Sequence, residues 1–117
     1  MQSMGVGVKR VYEQVSDDDG LRVLVDRLWP RGIRKDDPRV DVWLKDIAPS
    51  EELRHAVHAS GDWKAFTKAY AHELDHAKEA VDELRDLVAA HDRVTLVYAV
   101  KDTENSNAFA LRDILKL

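Results

Sequence analysis

The sequence predicts an α/β fold: one small domain over residues 1–117, with a largely parallel sheet of three to four strands and helices packed on it. Two observations carry this. Val23-Leu24-Val25 and Val94-Thr95-Leu96-Val97-Tyr98-Ala99-Val100 are dense apolar runs without alternation, as in strands buried on both faces. Between and after them, apolar residues recur every three or four positions, the helical period. Strands separated by helices imply a layered architecture.

Taken in order, Val6, Val8 and Val11 with Tyr12 form a first strand, closed by the turn-forming run Ser16-Asp17-Asp18-Asp19-Gly20. A second strand begins at Leu21 and runs through Val25. It stops by Trp29-Pro30-Arg31-Gly32, where proline and glycine break a ladder. The link between these strands is short for a parallel crossover, which leaves room for one antiparallel pairing. Residues 33–49 carry mixed signals: Val40, Val42 and Leu44 alternate, while Trp43 and Ile47 have helical spacing. Ser50 is a good helix N-cap, Glu51 and Glu52 suit the first turn, Leu53 and Val57 form an apolar face, and Gly61 ends the helix.

Trp63, Phe66, Tyr70, Leu74, Ala77, Val81, Leu84 and Val88 then form one apolar stripe along about seven helical turns. This is one long helix or two with a break near Asp75, since no glycine or proline forces the break. After the second dense strand, a polar segment leads into a last helix from Asn107 to Leu117, with Ala108, Leu111, Ile114 and Leu115 on one side.

Composition narrows the function classes. The chain is 44% hydrophobic and 34% charged, enough for one core and a polar surface. No apolar run is long enough to span a membrane, and Met1-Gln2-Ser3-Met4-Gly5 lacks the basic and apolar regions of a secretory signal. With no cysteine, disulfides, thiolate nucleophiles and cysteine-bound zinc are excluded, and a cytoplasmic location is expected. A net charge of −4 disfavours nucleic acid as a partner.

His72-Glu73-Leu74-Asp75-His76 matches the H-E-x-x-H zinc-protease pattern, in which two histidines share a metal and the glutamate activates water. Here the pattern reads as a chance match. Asp75 places a charge inside it, and the histidines point roughly 200° from the apolar stripe at 100° per residue, toward solvent. His55 and His58 have a spacing that can bind metal but no indicated third ligand, so they read as a solvated helix face. No metal and no cofactor is expected.

The more informative polarity follows the two dense strands. The first leads into Asp26-Arg27-Leu28-Trp29-Pro30-Arg31-Gly32, the second into Lys101-Asp102, with Asn105 and Asn107 at the start of the last helix. Ligands of open α/β sheets sit outside the carboxyl ends of the strands. Arg27, Arg31 and Lys101 are therefore candidates to hold an anion, with Asn107 at a helix start, Asp26 and Asp102 for proton transfer, and Trp29 as a wall. In a structural reading, Asp26 pairs with a basic neighbour, Trp29 is core, and Asn105 or Ser106 only caps the helix.

The segment Asp26-Arg27-Leu28-Trp29-Pro30-Arg31-Gly32 resembles the hallmark of the YeaO-like proteins, bacterial members of the domain of unknown function family 488. The likeness continues through Trp43, Ala48-Pro49-Ser50, Leu53-Arg54, Trp63, Phe66, Tyr70, Glu73 and Leu74, then Val94 to Asp102 and Asn107-Ala108. It implies a small cytoplasmic α/β protein and brings no established activity. Broader relatives carry cysteines near the second strand end, so any thiol chemistry there does not carry over to this chain. Some relatives bear a transcription-regulator label, for which this sequence shows no winged-helix pattern.

The expected function is thus a small anionic-ligand or metabolite site at the strand carboxyl ends, with enzymatic use of it left open. The alternative is a nucleic-acid or protein-binding module using the basic stretch 27–39, through Arg27, Arg31, Arg34, Lys35 and Arg39. Oligomeric state is left open.

Overall fold

The computed structural model describes residues 5–101 and 106–117. Four strands, β1 (Gly5–Arg10), β2 (Leu21–Leu24), β3 (Val42–Trp43) and β4 (Arg93–Tyr98), form one sheet in the order β1-β4-β2-β3. Every pairing is parallel. β4 is central: Val8 lies opposite Leu96 on one side, and Val23 lies opposite the same Leu96 on the other. Its side chains from Val94 to Tyr98 are all buried, as the dense run predicts.

The antiparallel pairing left open for the first two strands does not occur. β1 and β2 do not touch, because β4 lies between them. The link, residues 11–20, turns at Val11 and Tyr12 and returns along the sheet through a 3-10 turn at Asp17–Asp19. Ten residues reach at most about 33 Å, and the link has to recover only the four register positions between Tyr98 and Val94, about 13 Å, with about 10 Å of sideways step, so its turns fit. No crossover helix is needed. Gly20 lets the link turn into β2: its φ is +63°, and a Cβ there would lie 2.1 Å from the Arg93 carbonyl oxygen.

Four helices follow the same chain order: α1 (Glu51–Ser60), α2 (Trp63–Asp75), α3 (Lys78–Ala90) and α4 (Asn107–Leu115). The long stripe is two helices, broken at His76 and Ala77. Phe66, Tyr70, Leu74 and Leu84 from it are buried, and Trp63 is half-buried. Gly61 ends α1 in the left-handed conformation, and Ser50 caps its start.

The two faces of the sheet are covered differently. Val23, Val25, Val94, Leu96 and Tyr98 point into a core shared with residues of all four helices. Leu24 and Val97 point the other way, into a smaller cluster with Val11, Ile33, Trp29, Val40 and Trp43. That face is closed by the segments flanking β2 rather than by a helix. Arg22 lies on it, wholly buried, donating to Asp19 (2.6 Å) and to the carbonyls of Arg39, Val11 and Glu13. Among the described residues no helix is long and apolar enough to cross a membrane.

Candidate functional site at the carboxyl ends of the central strands

β2 and β4 end side by side, so the polar residues after them start from one edge of the sheet. Asp26 follows the β2 run. Its Oδ2 accepts the Ala99 N–H (2.8 Å), and its backbone carbonyl accepts the Trp43 indole N–H (2.8 Å). Asn107, the first residue of α4, donates from Nδ2 to the Val25 carbonyl (2.9 Å). Asp26 and Asn107 are thus brought together. Burial pushes the Asp26 carboxyl above its ordinary range, partly opposed by the Ala99 N–H, the Arg54 charge and the Asn107 amide.

The other candidates go elsewhere. Arg27 spends its donors on the Ala48 carbonyl (3.0 Å) and the Pro49 carbonyl (3.4 Å). Trp29 packs in the cluster on the face away from the helices, edge-on to Trp43 at 5.4 Å, with its N–H donated to Ile33. Arg31 is exposed, and its carbonyl accepts the Tyr12 hydroxyl. Lys101 is exposed. Asp102 and Asn105 lie outside the described residues. No ion pair among the described residues joins Asp26 to Arg27, Arg31 or Lys101.

The cation at this edge comes from α1 instead. A cavity of about 260 Å³ opens beside Val100, Ser106 and Asn107, with Arg54, Val57 and His58 from α1 and Trp63 and Phe66 from α2. Arg54 and His58 are four residues apart and so share one helix face. Arg54 is partly buried, and its guanidinium has neither an ion pair nor a hydrogen bond among the described residues, although its charge acts on Asp26. Ser106 is buried and caps α4 through Phe109 N–H.

Local chemistry holds α1 in this place. Tyr70 donates to the Ile47 carbonyl (2.6 Å), and Arg27 holds Ala48 and Pro49. Glu73 accepts the Ser50 N–H (2.9 Å) and hydroxyl (2.6 Å), while Ser50 Oγ accepts Leu53 N–H. Three side chains therefore fix residues 47–50, and Arg54 follows one turn later. Glu73 of the H-E-x-x-H match is engaged here as a strut. His72 and His76 are exposed, and no group of three or more metal-ligating side chains gathers among the described residues. On the far side, Arg10 donates to the Ala99 and Val100 carbonyls (2.9 Å each) and steadies the end of β4.

Sequence reasoning missed Arg54, His58, Trp63 and Ser106 as parts of this edge. Arg54 and Trp63 stand among the residues of the family likeness, and the four-residue spacing of Arg54 and His58 was a signal that placed both on one face.

The family profile described as "Inactive DUF488-N3 subclade" matches residues 5–117. An uncharacterised protein of Mycobacterium tuberculosis strain H37Rv is 48% identical over 111 residues, covering 94% of this chain and 92% of its own length. An uncharacterised protein of Mycobacterium bovis matches to the same extent. The uncharacterised protein YeaO of Escherichia coli K12 is 42% identical over 114 residues, covering 97% of this chain and 98% of its own. No solved structure matches the chain to a significant degree.

Proposed function

The chain belongs to the DUF488 family, in the branch described as its inactive N3 subclade, and from that premise we propose that it binds a small anionic ligand at the carboxyl ends of β2 and β4 without turning it over. The observation that carries this reading is Arg54, a partly buried residue that lines a cavity and forms no ion pair or side-chain hydrogen bond with the described residues, only a longer-range attraction to Asp26. A guanidinium with free donors on a cavity wall is matched by a carboxylate or phosphate oxygen. His58, one turn further along α1, offers a further polar contact. The absence of any cysteine closes covalent thiol chemistry, in keeping with the subclade's description. The same absence favours a reducing compartment, and we place the protein in the cytoplasm.

The basic stretch 27–39 supports the alternative less well. Arg27 is committed to carbonyls, Arg34 and Arg39 face Asp36 and Asp37, and the Lys35 ammonium lies over the rings of Trp29 and Trp43. Few of its cations are left for phosphates.

Thermal melts in acetate, phenylacetate, sulfate and phosphate, with ionic strength matched by chloride, test the proposal. An occupied site adds about 2.7 kcal/mol at a hundred times the dissociation constant. At least one anion should raise the melting temperature of the wild type and of Arg31→Ala but not of Arg54→Gln. Equal shifts in wild type and Arg54→Gln for every anion would refute the site.

A further inference from the structure

The remaining walls of the cavity narrow the ligand. Besides Arg54 the lining includes an apolar set: Val57, Trp63, Phe66 and Val100. Trp63 and Phe66 meet edge to face with centroids 4.9 Å apart, and Trp63 keeps part of its surface exposed. Such a wall accepts a ring edge-on or offset and gives nothing to a small hydrated ion. The volume of about 260 Å³ falls below the roughly 300–1,000 Å³ of sites for drug-sized ligands, so the body is small.

Charge narrows it again. Arg54 is the one arginine or lysine on the described lining. Asp26 lies at the same edge, bonded to the Ala99 N–H next to Val100. One guanidinium with no second cation on the described lining suits a monoanion better than a phosphate dianion. The planar fork of arginine matches a carboxylate with two parallel bonds.

We infer that the ligand of this cavity is a small aromatic monocarboxylate, its carboxylate on Arg54 and its ring against Trp63 and Phe66. This rests on the anion-site reading above and goes further by specifying charge and body. The carboxylate end meets Arg54, and the ring end displaces water from the apolar wall. Both ends are required: acetate lacks the body and phosphate has the wrong charge.

Tryptophan fluorescence and calorimetric titrations with phenylacetate, acetate and inorganic phosphate separate these requirements on the unmodified chain. Phenylacetate should bind at least tenfold more tightly than acetate or phosphate. Arg54→Gln should weaken phenylacetate binding about tenfold, and Arg54→Lys, which keeps charge but loses the fork, should fall between. Trp63→Leu should weaken phenylacetate and leave acetate unchanged. If acetate or phosphate binds as tightly as phenylacetate and needs Arg54, the anion site stands and the aromatic carboxylate is wrong. Loss of Arg54 without effect on any of the three would end both. The comparison among probes on the wild type needs no variant to fold.

Discussion

The two faces of the sheet are built on opposite principles. On the helix side, Val23, Leu96, Phe66, Leu84 and Leu111 exclude water together, and stability there scales with apolar area. On the other side, the apolar cluster is small, and a buried charged knot holds the covering segments down. Arg22 binds Asp19 and three carbonyls, and Asp19 also takes Lys9 Nζ (3.0 Å) and the Ser16 N–H (3.0 Å). A helix brings its own satisfied backbone to a sheet. An irregular segment brings carbonyls that need donors, and one arginine with five N–H groups meets several of them at once. The lesson is that a face without helices still closes, provided a polar side chain replaces the ladder.

Removing the arginine should therefore be the most damaging single change. Arg22→Met leaves Asp19 without its closest partner and three carbonyls without donors, and should cost about 3–5 kcal/mol or more, with a matching fall in urea midpoint. A midpoint near that of the wild type would mean the covering segments are held by something else. On the opposite face, Phe66→Ala should cost about 3–5 kcal/mol through lost contact and cavity.

The two losses should differ in acid. Burial raises the Asp19 carboxyl, but the Ser16 N–H, Lys9 and Arg22 outweigh it and hold it below its ordinary range. The stability it gives is present above the ordinary carboxylate value and disappears as pH falls through the lowered one. Phe66→Ala should keep this acid sensitivity, whereas Asp19→Asn should lose it. Parallel stability curves for Asp19→Asn and wild type below about pH 5 would contradict the assignment.

Smaller effects follow at the strand ends. Ser50→Ala removes the N-cap of α1 and its bond to Glu73, and should cost about 1 kcal/mol in the same denaturation assay. Asp26→Asn should change least. An amide oxygen still accepts the Ala99 N–H, and burial already favours the neutral acid. Because its carboxyl is raised, wild type gains from neutral Asp26 at low pH and loses that gain as pH rises through the raised value. The asparagine variant should be as stable as wild type or more stable at about pH 7. A clear loss there would show the carboxylate charge to be structural.

This contrast also explains what could be read in advance. The helix-side core was legible because burial against helices writes a period into the sequence: Trp63, Phe66, Tyr70 and Leu74 announce their face. The central strands were legible from density alone. The break at His76 and Ala77 carries no glycine or proline, so the sequence left one long helix and two helices equally open. Arg22 sits between Leu21 and Val23 and carries no mark of burial, since its acceptors come from positions 11, 13, 19 and 39. The edge holding Asp26 and Asn107 followed from strand order, and the two do meet. Its cation did not follow, because Arg27 is drawn to two loop carbonyls and Arg54 arrives from a helix whose docking depends on Tyr70 and Glu73.

The position of β4 has a consequence for how the chain is made. The strand that joins β1 to β2 is the last of the four to leave the ribosome. At about 5–20 residues per second, β1 waits on the order of ten seconds for its only neighbour. A fragment ending at Asp92 should show helix but no cooperative unfolding, a test by circular dichroism. Until residues 93–98 appear, β1 has no strand partner and β2 has only the two-residue β3 on one edge, so the nascent chain needs protection from aggregation most during synthesis.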